Sequence, residues 1–298
     1  MRGFRPGGSI PQKVLIPMGV LSLVALALLV FSISSGAYRI SPADVARFVF
    51  TGRAGEVDAT TISTLVFGIR LPRIAAAFLI GAGLSAAGAS YQGLFRNSLV
   101  SPDILGASSG AGFGAALGLI LGVNYLGVQA LAFVFGLVAV GITCILGSAV
   151  GGSQGSLRLV LTGMVTGSLF VAGISVIKSV ADPYDTLPAI TFWLMGSLAS
   201  VRWDDVWFLT PPVVIGGAIL MALRWKLNAM AFSGEEAGAM GVPVRRVRVL
   251  TLISATLISS VTVAVGGLIG WVGLLVPHMA RFWVGPNHRD LLPVSMLM

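Results

Sequence analysis

Seven long stretches of this chain contain no Asp, Glu, Lys or Arg: 14–38, 74–95, 104–157, 159–177, 186–201, 206–223 and 249–280. A helix that crosses the hydrocarbon core of a bilayer needs about 20 mostly apolar residues, and most of these stretches meet or exceed that length. Only 10% of the 298 residues are charged, against roughly 25% in an ordinary soluble domain. A soluble enzyme or binding module could not cover so much apolar side chain with polar surface, so that class is excluded. The chain reads as an all-α, polytopic helical membrane protein forming a single transmembrane domain over 1–298.

The 54-residue run 104–157 holds two helices with a turn at Gly122-Val123-Asn124-Tyr125, and 249–280 holds one full span and a shorter one after Gly266-Gly267 and Gly270. The stretch 186–201 contains Pro188, is flanked by acids and is short, which fits a re-entrant or interfacial piece. The total is about eight helices. Lys and Arg collect on the cytoplasmic side of membrane proteins. With Arg2, Arg5 and Lys13 ahead of the first span, the amino terminus is expected inside. Alternation then places 12 of the 19 cations on inner segments. This bias accounts for the formal charge of +8; the cations form no basic stripe, so nucleic acid is not an expected partner and membrane lipid is. The first stretch has signal-peptide features but is long and followed by further spans, so a retained first helix is expected. Cys144 is the single cysteine and rules out a disulfide framework.

No Asp, Glu, Lys, Arg or His falls in the middle of an expected span, which argues against a proton-coupled carrier. No G-x-x-x-x-G-K-[ST] loop is present, so the chain is not expected to hydrolyse ATP. Gly106-Ala107-Ser108-Ser109-Gly110 fits the short G-x-S-x-G pattern, and with His278 it would suit an intramembrane serine protease; in a run of Gly, Ala and Ser this match carries little weight. No metal cluster is expected, because His278 and His288 lack carboxylate or thiolate companions.

Four segments carry more information. Arg70-Leu71-Pro72-Arg73 is read as the outer start of the second span, with two cations set against both the helix dipole and the charge bias. A polar turn, Arg96-Asn97-Ser98-Leu99-Val100-Ser101-Pro102-Asp103-Ile104-Leu105-Gly106, joins two apolar helices on the inner side. It suits either a connector or the wall of a pathway. In the inner loop, Ser233 is expected to cap a short helix with Glu235 and Glu236 in its first turn, Ala237 and Met240 on one face, and Gly241 as its left-handed stop. The last segment runs from Gly266 through Pro277-His278 to Arg281, then on to Leu291-Leu292-Pro293.

In this order the four segments, with Phe192-Trp193-Leu194-Met195-Gly196-Ser197-Leu198 as a fifth, resemble the FecCD family of permease subunits from Met18 onward. These belong to binding-protein-dependent ATP-driven (ABC) importers for iron-siderophores, haem and cobalamin. The resemblance implies a ten-helix permease fold, of which this sequence holds about eight helices and stops as the ninth begins. It implies a partner ABC ATPase subunit that binds the ATP, an extracytoplasmic substrate-binding protein, and a second permease copy or paralogue, in the plasma (inner) membrane. Arg70 and Arg73 then match binding-protein docking positions. Glu235, Glu236, Ala237 and Gly241 match the ATPase-coupling segment within 227–247. Asn97, Leu99, Pro102, Gly106 and Ser156 match the pathway and its inner gate. The permease itself would catalyse nothing and hold no metal or cofactor. The cargo implied is a metal chelate, ferric siderophore first, with haem, cobalamin or molybdate as alternatives. A partner-independent channel or carrier is the reading from another class.

Overall fold

A computed structural model describes residues 12–38, 40–51, 58–149, 155–232 and 234–298, and among them every regular element is a helix. The first is α1 (Gln12–Ser34), followed by α2 (Pro42–Thr51) and α3 (Ala59–Ile62). The expected start of the second span at Arg70 needs correction. α3 continues through a π-helical stretch, Ser63–Arg70, directly into α4 (Leu71–Phe95), so that 59–95 form one rod of 37 residues. Pro72 explains the local winding. It has no N–H to give and its ring crowds the preceding turn, and the wider π pattern, in which the Leu71 N–H reaches back to the Val66 carbonyl, carries the helix past it.

The run 104–157 divides where expected, into α5 (Ala107–Ile120) and α6 (Tyr125–Ala149), joined through Gly122 at φ +65°. Then come α7 (Gly155–Val180), the short α8 (Thr186–Met195), α9 (Trp203–Ala229), α10 (Gly234–Ala239), α11 (Val244–Gly266), α12 (Val272–Val284) and α13 (His288–Leu297). Six described helices are long and apolar enough to cross a membrane, and the shorter apolar helices α5 and α12 complete the expected count of about eight. The piece at 186–201 is a short helix and a turn, as its length required.

α11 lies at the centre, packed on α4, α5, α6 and α9. Its buried Thr251, Ser254, Thr256, Ser259, Ser260 and Thr262 are small enough to let neighbouring backbones approach. Two of their hydroxyls turn back onto their own helix: Ser259 Oγ donates to the Ala255 carbonyl at 2.8 Å and Thr262 Oγ1 to the Ser259 carbonyl at 2.9 Å. Back-bonding of this kind satisfies the group without a partner helix. α4 is buried without a break from Ala82 to Phe95. α1 and α7 instead expose apolar side chains such as Leu23, Phe31, Val165 and Leu169, the arrangement of helices whose outer faces meet lipid or further helices.

α5 and α12 have 14 and 13 residues. At 1.5 Å per residue they reach only about 20 Å, less than the ~30 Å hydrocarbon core. Both begin at depth, and they begin beside each other. An added Cβ on Gly273, in the first turn of α12, would lie 2.6 Å from Pro102, just ahead of α5.

The two ends of the bundle differ. One carries Arg70, Arg73, the turn after α8 and the start of α9; there the buried Asp205 accepts from Gln129 Nε2 at 2.6 Å and from the Arg202 N–H at 2.8 Å. The other carries Asn97, Leu99, the end of α9, α10 and the α12–α13 link.

Candidate translocation pathway and docking surfaces

At the first end, both arginines are engaged. Arg70 donates from its two terminal nitrogens to the carbonyls of Ile33 and Tyr38, which pins the end of α1 and the chain after it. Arg73 donates from Nε to the Leu198 carbonyl at 3.1 Å and from Nη2 to the Ala199 carbonyl at 2.5 Å. Their side chains are half-buried and flank a cavity of about 510 Å³ that also meets Gly36 and Tyr38. The sequence showed two free-looking cations; the fold uses them to tie two turns to α4. Arg73→Ala is therefore expected to lower stability by about 1.5–3 kcal/mol, the range for hydrogen bonds that involve a charged group. Arg73→Lys should recover only part of this, because an ammonium cannot fork across two carbonyls. Thermal unfolding in detergent checks it: a residue serving only an external partner would leave the melting temperature unchanged.

The turn held by Arg73 leans on the break between α11 and α12. The Ser197 N–H donates to the Gly266 carbonyl at 3.0 Å. Gly196 and Gly267 both have positive φ, +73° and +71°, and a Cβ on Gly267 would come within 2.5 Å of the Gly196 Cα. Only glycine serves both requirements there.

The polar turn 96–106 splits into two parts. Asn97 and Leu99 are exposed at the second end, with Asn97 Oδ1 accepting from the Leu99 N–H at 2.9 Å. Pro102 and Gly106 are buried. Ser101 opens a 3-10 turn, Pro102–Leu105, and Gly106 at φ +86° starts α5. This turn seats in α7: a Cβ on Gly163 would lie 2.2 Å from the Ile104 carbonyl oxygen, and one on Gly106 would lie 3.3 Å from the Gly167 nitrogen. Thr143 Oγ1 of α6 donates to the Leu105 carbonyl at 3.0 Å. Gly163 and Gly167 stand about 12 and 18 Å along α7 from its first residue, so the turn is at membrane depth. Irregular backbone survives there when it is buried in protein or lines a cavity. Ser156 falls in the first turn of α7, and its side chain lies outside the described residues.

The 102–106 turn brings Asp103 with it, which revises the expectation that no acid sits within the spans. Asp103 Oδ1 accepts from Ser108 Oγ, and Oδ2 is 3.2 Å from Ser101 Oγ. Ser108 is thus committed to Asp103, whereas His278 is exposed and stacks edge-on against Phe282 at 5.1 Å; no Ser–His dyad forms between them. Sequence reasoning missed Asp103 because 104–121 looked long enough to span. Only the observed start of α5 placed the acid inside.

At the second end, α9 extends through Ala229 and α11 starts at Val244, which narrows the connecting segment to 230–243. α10 forms as expected, with Glu235 and Glu236 in its first turn, and Gly241 takes φ +79°. Ser233, the expected cap, lies outside the described residues. Ala237 is fully buried, but Met240 is exposed, so the expected two-residue apolar face is corrected. The second anchor is Val242, which is buried and donates its N–H to the Ala237 carbonyl at 3.1 Å. A cavity of about 530 Å³ at this end joins Asn97, Arg96, Asn228, Phe232, Arg281 and His288. Arg96 Nε donates to the Met230 carbonyl at 2.8 Å, and His288 is buried with Nδ1 3.1 Å from Asn228 Oδ1. The end of α4, the α9–α10 connection and the α12–α13 link are thereby one packed unit.

A multi-pass helical bundle with half-length helices meeting at a polar break, and a short helix with exposed acids at one end, is the build of a membrane transport subunit. The comparisons agree. The FecCD transport family matches residues 23–298, and the chain belongs to that family. The molybdate import system permease protein MolB of Haemophilus influenzae is 36% identical over 279 residues, covering 93% of this chain and 82% of that one. The ferric enterobactin transport system permease protein FepD of Escherichia coli is 35% identical, covering 97% and 84%. A solved metal-chelate-type ABC transporter in an inward-facing conformation superposes with a TM-score of 0.83 at 34% identity, covering 94% of this chain and 85% of that one. The chain is an ABC importer permease of the FecCD family and a multi-pass membrane protein.

Proposed function

We propose that this permease carries a metal chelate, ferric siderophore foremost, from an extracytoplasmic binding protein to the cytoplasm. ATP is bound and hydrolysed on a separate ATPase subunit, and the pathway is completed by a second permease copy or paralogue. The end with Arg70 and Arg73 faces outward, and the end with Asn97 and α10 faces the cytoplasm. Arg70 and Arg73 meet acidic groups of the binding protein with the donors their carbonyl bonds leave over. Asn97 and Leu99 form the inner mouth, and Pro102, Gly106 and Ser156 the wall above it.

The observation that carries this reading is α10. It is a six-residue helix with its acids exposed, its Ala237 buried, and its far side packed on α11. A solvated connector needs no such anchoring, whereas a lever that passes motion from a partner to the bundle does. Glu235, Glu236, Ala237 and Gly241 form its contact face and its hinge.

Co-purification in detergent with a co-expressed ABC ATPase subunit from the same source tests the proposal. A Glu235→Arg/Gly241→Trp double change is expected to weaken ATPase retention roughly 30-fold or more, as for loss of an interface hot spot. A partner-independent carrier would transport unaltered with that change, and an ATPase that binds both forms equally would refute the coupling assignment.

A further inference from the structure

We propose that Asp103 makes a charge-selective subsite in the permeation route, one that accepts neutral or cationic, hydrogen-bond-donating cargo and disfavours oxyanions. It rests on the importer reading for the identity of the route. The site itself rests on geometry. Two segments outside the α-helices meet at membrane depth, the 3-10 turn at 102–106 and the 267–271 break. Between them and α7 lies a cavity of about 240 Å³, lined by Asp103, Ser108 and Ser109, by Val171 and Ile174, and by Leu268, Ile269 and Gly270. Val171 is 51% exposed and Leu268 38% exposed, and Gly270 is exposed too, so the cavity opens onto the outer face of α7 rather than into the core.

Among the described residues, the cavity wall has a carboxylate, two hydroxyls and no Arg, Lys or His. A helix cap would explain an acid ahead of α5 if its oxygens accepted from the backbone N–H groups of that helix. The bonds of Asp103 to α5 instead run through the Ser108 hydroxyl, and its other oxygen pairs with Ser101. A carboxylate offers about four acceptor positions, so two hydroxyls leave room for donors from the cavity. Among the described residues Asp103 has no cation partner, and an acid so placed at membrane depth is costly and marks a polar pathway. When ionised, its field in a low-dielectric wall repels a second negative charge and attracts donors. A neutral or cationic ferric chelate fits that wall; a dianion such as molybdate does not.

The test uses the full chain in lipid nanodiscs, which open both faces to water, with Cys144→Ala and a reporter Ser109→Cys in the cavity. Its thiol is reacted with trimethylammonium-ethyl and with sulfonato-ethyl methanethiosulfonate, each rate being normalised to a neutral methanethiosulfonate. The cation-to-anion ratio is expected to fall about tenfold on Asp103→Asn and to hold on Asp103→Glu. A ratio indifferent to Asp103→Asn overturns the proposal. So does a reporter that only a lipid-soluble maleimide can reach, since the cavity would then lie off any aqueous route. ATPase co-purification is scored on the same proteins, so a failure of the importer reading registers separately from a failure of the subsite.

Discussion

Gly88→Ala is expected to leave almost no correctly folded protein. An added Cβ at Gly88 would lie 1.7 Å from the Gly273 carbonyl oxygen and 2.8 Å from its Cα. The obstacle is backbone, so no rotamer change relieves it, and α12 would have to leave α4 or shift along it. That movement would also break the contact of Gly273 with Pro102. Overpacking usually costs about 1–3 kcal/mol where side chains can yield; here the cost should exceed about 4 kcal/mol, in the range reserved for lost core contacts. The monodisperse fraction after extraction and the melting temperature measure it. Gly81→Ala is the control on the same helix. Nothing lies within 4 Å of its Cβ position, so the better helix propensity of Ala should make it neutral or stabilising by up to about 1 kcal/mol. Equal melting temperatures for the two variants would refute the close contact.

Gly163→Val should abolish transport while leaving most of the bundle assembled. Its Cβ would meet the Ile104 carbonyl oxygen at 2.2 Å and the Leu105 Cα at 2.8 Å, lifting the 102–106 turn from α7. The bond from Thr143 to the Leu105 carbonyl goes with it, and so does the placement of Asp103. The stability loss expected is about 3 kcal/mol, the upper end for overpacking, because the turn is one layer of the fold and not its centre. Proteolysis should then cut within 96–106, and uptake by the assembled importer should stop. Gly167→Ala, one turn along α7, meets Ser109 Oγ at 3.4 Å and the Gly106 Cα at 3.7 Å, both ordinary contacts, and should keep both fold and transport. Matching behaviour of Gly163→Val and Gly167→Ala would show that the turn does not depend on α7.

The two glycine pairs show where sequence reading reached its limit. Gly88, Gly163 and Gly273 stand in a chain of 39 glycines, and nothing in local composition separates the ones that touch another backbone from Gly81, which touches nothing. Asp103 was visible as a letter, but its depth depended on α5 beginning at Ala107 and on α7 receiving the turn. The arginines at 70 and 73 were noticed for opposing the charge bias. Their carbonyl partners lie 32 to 37 and 125 to 126 residues away in sequence, beyond any local pattern.

What the sequence determined by itself was the membrane class, the helix count, the break after Gly266, the short helix at Glu235 and the family. Each follows from a local quantity: the length of an uncharged run, a glycine at a left-handed position, or a short motif in series. The tertiary structure decided which ends of α5 and α12 lie inside the bilayer, which glycines are contacts, and that an acid faces a cavity there. Those facts arise from pairing between distant helices. In lipid that pairing is set by close packing of small residues and by satisfaction of polar groups, neither of which leaves a periodic mark along the chain.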